Sequence, residues 1–177
     1  VVEEAHKAER RVAAHASCPP GIRNAVTPGV DSIEHGSHAD RPALELMKEK
    51  GVWLVPTLGP FLNRLDAASE EEERKYRQEQ LAIVQSMVRT AKAVGVKIAC
   101  GYDAAEAPLA GTNAREVVAL RDAGLSNLEA IRAATTSAAE LMGLQDSIGA
   151  IEAGKSADLV AVAGDPLADV AMLEHVV

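Results

Sequence analysis

Gly29-Val30-Asp31-Ser32-Ile33-Glu34-His35-Gly36 reads as a turn, a short strand and a histidine at the strand's end. Val30 to Glu34 supply the strand-forming run, and Pro28 with Gly29 closes what precedes it. On the N-terminal side, Val2 to Glu9 has helical character. Arg11 to Ala16 is a short extended run that carries His15, and Pro19 with Pro20 opens a helix through Val26. On the C-terminal side, Asp40 is an N-cap for a helix through Lys50, with Pro42 in the first turn and Gly51 at C′. Leu44 and Met47 sit three apart on its apolar face. Val52 to Val55 is a third run, stopped by Pro56, and a loop with Gly59 and Pro60 is expected after it.

Ser69 and Glu72 have capping-box spacing for a long helix through Val94. Leu81, Val84, Val88 and Ala91 mark its buried stripe, and Gly95 ends it. Val96 to Cys100 is a fourth run, leading to Gly101, Tyr102 and Asp103. Asn113 with Glu116, and Ser126 with Glu129, open two further helices, the second reaching about Gly143. Strands and helices alternating at this spacing predict βα units on a parallel sheet, with four strands side by side in chain order. After Gly143 the texture changes. Ile148 to Glu152, Leu159 to Val162 and Leu173 to Val177 are short β-type runs joined by Gly and Asp turns. The expected division is residues 1–143 and a small separate β element over 144–177.

Composition bounds the function classes. The chain has 177 residues, 18 Lys+Arg against 26 Asp+Glu and a net charge of −8, which argues against non-specific nucleic-acid binding. Aromatics at 2% leave no base-stacking platform, while 47% hydrophobic residues suffice for an aliphatic core. No apolar stretch approaches the roughly 18 residues of a membrane span. Cys18 and Cys100 form no close metal pair and read as free thiols in a reducing compartment, which favours a cytoplasmic location. Val1 opens in what reads as the middle of a helix, so a fragment of a longer protein is expected.

Three of the four runs end in a side chain able to bind a metal: His15, His35 and, two residues past its run, Asp103. Parallel α/β architectures bind ligands at the C-terminal ends of their strands. Two imidazoles and a carboxylate converging there suit a divalent metal of the zinc type. Separations of 20 and 68 residues match no local metal motif, so only the shared strand-end position unites them. Each histidine taken alone reads as a polar loop residue. His38, in the loop after the second run, lies within reach of the site mouth. His6 reads as solvated, His175 as structural, and Glu34 as a carboxylate on the face opposite His35. There is no Gly-x-Ser-x-Gly elbow, Walker loop or Rossmann fingerprint. Cys18 is followed directly by Pro19 and Pro20 and lacks an activating helix N-terminus before it.

Val12-Ala13-Ala14-His15-Ala16, Ile33-Glu34-His35-Gly36, Gly51-Val52-Trp53-Leu54-Val55-Pro56-Thr57 and Ile148 to Val160, with its Gly154-Lys155-Ser156-Ala157-Asp158-Leu159-Val160, carry a resemblance. Together they resemble the second half of the metal-dependent amidohydrolase superfamily, in its imidazolonepropionase-related and Xaa-Pro/Xaa-Arg dipeptidase-like branch. Gly101-Tyr102-Asp103-Ala104 resembles that family's Gly-Thr-Asp-Ala segment. The resemblance implies an α/β fold: strands five to eight of a (β/α)8 TIM-like barrel plus strands of a small β-sandwich. It implies that His15 and His35 are metal ligands after strands five and six. Asp103 is then both ligand and general base after strand eight. Ser17 stands where many relatives place a second histidine, and Tyr102 where they place threonine. The family's first-strand His-x-His pair and fourth-strand lysine have no counterpart here, and the resemblance places them upstream of Val1.

The implied activity is metal-dependent hydrolysis of an amide or peptide bond in a small, dipeptide-like substrate, with one or two divalent ions, zinc first. His38 and Tyr102 are the expected substrate contacts. Two alternatives stand beside it: a cyclic amide hydrolase of the imidazolonepropionase-like kind, and a non-catalytic half-barrel module. Half a barrel would expose two strand edges, with Val12, Ile33, Val55 and Ile98 or their neighbours facing an interior of one wall. A homo-oligomer, or association with the missing N-terminal half, is therefore expected.

Overall fold

Three short runs pair in parallel in the computed structural model, which describes residues 1–104 and 110–177. They are β1 (Ala13–Ala16), β2 (Ser32–His35) and β3 (Trp53–Val55), in the order β1-β2-β3. Ala14 pairs with Ile33, and Ile33 with Leu54. The fourth expected strand is reduced to one parallel bridge, Leu54 to Ile98. Leu54 N donates to the Lys97 carbonyl at 2.9 Å, and Ala99 N donates to the Leu54 carbonyl at 3.0 Å. Cys100 N turns instead to the Ala133 carbonyl at 2.9 Å, which takes the chain out of the ladder.

Eight α-helices are described: α1 (Val2–Lys7), α2 (Pro19–Val26), α3 (Arg41–Lys50), α4 (Gly59–Asp66), α5 (Glu71–Val94), α6 (Arg115–Asp122), α7 (Asn127–Ala134) and α8 (Thr136–Met142). Strand alternation sorts the side chains. Ala14, Ile33, Leu54 and Ile98 share one row and pack into the helix-covered core with Ile22 and Val26 of α2, Leu44 and Met47 of α3, and Val84 and Val88 of α5. Each such fully buried aliphatic side chain contributes roughly 1.5–3 kcal/mol. Trp53, Val55 and Ala99 lie on the opposite face and form a small separate cluster with Leu141 of α8. Of the four residues expected to face a barrel interior, Val55 alone lies on that face. Val12, Ile33 and Ile98 pack on the helix side, because their register places them in the row of Leu54.

Local signals decide the helix ends, with instructive exceptions. Asp40 accepts from Ala43 N at 2.9 Å, and Gly51 and Gly95 are left-handed at φ 69° and 90°. Ser126 and Glu129 form the full capping box of α7. Ser69 and Glu72 do not form theirs: Glu70 is the N-cap of α5, and three glutamates in the first turn answer the helix dipole instead. The stretch at Gly59 and Pro60, expected to be a loop, is the first turn of α4, where proline's missing N–H costs nothing. The helix expected to run to Gly143 breaks at Thr135 into α7 and α8. After Gly143, one antiparallel bridge joins Val162 and Val176, and Val170–Glu174 is a 3-10 helix whose Val170 is fully buried in the core. Leu173 and Glu174 thus lie in a helical turn rather than in the strand expected there. No helix among the described residues is long and apolar enough to cross a membrane.

Candidate active site

His15 stands next to last in β1 and His35 last in β2, so parallel pairing brings the two rings to one end of the sheet. Their centroids lie 4.4 Å apart at an interplanar angle of 65°, edge to face. Neighbouring turns share an unusual backbone. His35, Thr57 and Asp103 sit at φ 67°, 51° and 52°, in the left-handed region. Each such non-glycine residue costs about 1–3 kcal/mol and persists only where its surroundings hold it, a condition that clusters at functional sites.

Thr57 connects to His35 directly. His35 Nδ1 lies 2.6 Å from Thr57 Oγ1, and Thr57 Oγ1 donates to the Pro56 carbonyl at 2.8 Å. A hydroxyl has one proton, and here Pro56 takes it. His35 Nδ1–H therefore donates to Thr57, which leaves the lone pair on Nε2. Burial holds the His35 pKa below the ordinary imidazole value; nearby His15 adds to this and Asp103 opposes it. The ring is thus neutral at pH 7, the form that ligates a metal. Glu34 is pushed the other way, upward, chiefly by burial and further by the charge of Asp103. Ser32 Oγ donates to its carboxylate at 2.5 Å and opposes the rise. The register aligns Glu34 with His15 on the face opposite Ile33 and Leu54, where it lines a cavity of about 740 Å³ with Ser32, Val55, Ala99 and Leu141 of α8.

Asp103 is exposed, and its charge reaches both His35 and Glu34. Among the described residues, no three His, Cys, Asp or Glu side chains are drawn together tightly enough to enclose an ion as they stand. The donors still fit one in kind. Two imidazoles meet edge to face, one with its tautomer fixed, and a carboxylate stands at the end of the adjoining run. His38 has an exposed side chain, and its backbone N donates to the Ser17 carbonyl at 2.9 Å, tying the turns after β1 and β2 together. The Tyr102 hydroxyl is engaged by Asn63 Nδ2 and Thr112 Oγ1, each at 2.5 Å. Arg115 joins Asn63 to Asp66.

Sequence reasoning missed Glu116. The sequence pairs it with Asn113 at the opening of a helix, but α6 begins at Arg115 with Ala114 as N-cap. The Glu116 carboxylate is buried and accepts from Leu58 N at 2.8 Å and Gly59 N at 2.5 Å. These partners lie 58 and 57 residues away in sequence, so no local spacing reports them. Burial raises its pKa to about 7 against the pull of the two amides. With the folded value above the unfolded one, this group stabilises the fold at acid pH and loses that contribution as pH rises through about 7. The swing amounts to about 3 kcal/mol, and the depressed His35 acts in the opposite sense as pH falls. Denaturant unfolding at pH 5.5 and 8, comparing the parent with Glu116→Gln, is expected to show the parent gaining stability at pH 5.5 relative to the variant. An identical pH dependence of the two would contradict the assignment.

The cysteines separate as well. Burial, with the Glu116 charge behind it, pushes the Cys100 thiol up to about 12, whereas Cys18 is exposed. Iodoacetamide at pH 8 is expected to alkylate Cys18 in the folded protein and spare Cys100, because the thiolate is the nucleophile. Equal labelling of both by peptide mass analysis would contradict this.

Residues 1–176 match the amidohydrolase family, and the chain belongs to it. This bears out the resemblance read from the strand-end motifs. The ochratoxinase of Aspergillus niger is 35% identical over 180 residues, covering 99% of this chain and 37% of that enzyme. A Xaa-Pro dipeptidase solved with methionine in its active site superposes with a TM-score of 0.87 at 37% identity, covering 99% of this chain and 44% of that one. A prolidase complexed with N-methylphosphonate-L-proline superposes at 0.86 with 33% identity, covering 98% of this chain and 43% of that one. The chain spans less than half the length of these relatives.

Proposed function

We propose that this chain carries part of the active site of a metal-dependent hydrolase that cleaves the peptide bond of small, dipeptide-like substrates. The observation that supports it most is the His15–His35 ring pair at adjacent parallel strand ends, with the Nε2 lone pair of His35 left free by Thr57. The names of the Xaa-Pro dipeptidase and prolidase neighbours favour a peptide over a cyclic amide. In this reading residues 1–143 are strands five to eight of a barrel with their helices, and 144–177 are a β-sandwich segment. The other strands come from an N-terminal half or a partner copy.

His15, His35 and Asp103 would hold the ion, zinc by the chemistry of the donors, singly or as one of two. A divalent metal there supplies Lewis acidity that polarises the scissile carbonyl and eases ionisation of water. Asp103 takes the proton of the attacking water and delivers it to the leaving amine, a role that its exposed position permits. His38 and Tyr102 flank the substrate, Tyr102 through its ring, since its hydroxyl is already bonded within the fold. The test is release of proline from Xaa-Pro dipeptides by the full-length protein, before and after chelation and zinc add-back. Release lost on chelation and restored by zinc supports the reading. Release indifferent to chelation, or none from fully zinc-loaded protein, overturns it.

A further inference from the structure

Glu116 is a carboxylate at 0% exposure that sits outside the constellation just described. Burying a carboxylate costs several kcal/mol, and an apolar side chain would fill the same space without that cost. What it touches gives a reason for its presence. Its two oxygens take the amides of Leu58 and Gly59, the first N–H groups of α4, whose own N-cap residue offers no side-chain bond. Those amides directly follow Thr57, the residue that bonds His35 Nδ1 from a left-handed turn. A β-branched residue keeps that backbone only when it is held there. On its other side Gly59 lies against the Tyr102 ring, one residue before Asp103. The clamp therefore stands between the turns that present His35 and Asp103.

We propose that Glu116 is a positioning residue of the hydrolytic site. By holding the Leu58 and Gly59 amides it keeps Thr57 in its turn, and through the Thr57 hydroxyl it fixes the orientation and tautomer of His35. The proposal rests on the reading of His35 as a functional ligand. It differs from mere helix capping, which would stabilise α4 and leave the His35 ring as it is. Glutamine at this position offers one acceptor oxygen and one donor group, so one of the two amides would face a donor. The Thr57 turn then loosens.

The experiment uses the full-length protein labelled with 15N-histidine, with Glu116→Gln, Thr57→Val and the double variant compared with the parent. In the parent, the His35 ring is expected to show protonated Nδ1 and a single tautomer. In Glu116→Gln the His35 signals should broaden or report mixed tautomers. Turnover should fall roughly tenfold or more with KM little changed, as expected when a reacting group is misplaced. The double variant should lose no more turnover than Thr57→Val alone, because both changes act through one hydroxyl. Unchanged His35 signals in Glu116→Gln, or independent multiplicative losses in the double variant, would overturn the proposal. Loss of thermal stability alone would overturn it too. Should Glu116→Gln not fold, Glu116→Asp takes its place, since it keeps the charge but withdraws it by one methylene. If the parent hydrolyses no dipeptide, the functional reading fails, and the His35 ring signals still decide whether Glu116 sets the tautomer.

Discussion

Asp103→Asn in the full-length protein is expected to lose turnover by at least the roughly 10²–10⁴-fold typical of a removed general base, while the fold survives. Asparagine keeps the side chain's shape but neither carries the proton nor supplies the charge. Stability should hold because Asp103 is exposed and its left-handed backbone, at φ 52°, is one that asparagine tolerates as well as aspartate. Proline release together with thermal unfolding measures both halves of the expectation. Activity above a tenth of the parent would reject Asp103 as the base, and a large drop in melting temperature would turn the loss into a folding effect.

The second large effect is expected at Gly59, through packing. A Cβ there would lie 2.1 Å from Tyr102 Cε2, 2.5 Å from Cδ2 and 3.2 Å from a Glu116 oxygen. The ring has no easy retreat, because its hydroxyl is bonded to Asn63 and Thr112. Gly59→Ala should therefore destabilise by about 1–3 kcal/mol, the range for overpacking a well-filled site. It should also lower turnover, because the displaced ring is the chain neighbour of Asp103. Gly21→Ala is the matched control: its Cβ meets Cys18 Sγ at an ordinary 3.5 Å inside α2, so stability should be unchanged or slightly higher. Denaturant midpoints read both variants, and a Gly59→Ala protein as stable as its parent would remove the clamp between Tyr102 and α4.

The parts of this fold legible in the sequence are those fixed by neighbours along the chain. Asp40, Gly51, Gly95 and Ser126 with Glu129 each mark a helix end that a few adjacent residues determine. The strand-end histidines were legible for a related reason: parallel strands in chain order place every C-terminal end on one side. What failed depended on distant partners. Glu116 has the spacing of a capping residue, yet its carboxylate belongs to amides far away in the sequence. Pro60 after Gly59 looks like loop punctuation, and it equally suits the first turn of a helix once Glu116 satisfies that helix's amides. Ile33 and Ile98 could be assigned to a face only after the register with Leu54 was known, since a shift of one residue exchanges the faces. Thr57 ends one of the segments of resemblance, but nothing in the sequence gives it a role. Its importance lies in one hydroxyl, which donates its proton to the Pro56 carbonyl and accepts from His35 Nδ1–H.

In the proposed site His15, His35 and Asp103 serve one ion. A crystal of the full-length protein grown with zinc, with anomalous data collected at the zinc edge, tests it directly. An anomalous peak is expected about 2.0–2.2 Å from an imidazole nitrogen of His15, from Nε2 of His35 and from a carboxylate oxygen of Asp103. His35 Nδ1 should still be bonded to Thr57. A zinc peak bound elsewhere, with none between the two histidine rings and Asp103, would contradict it.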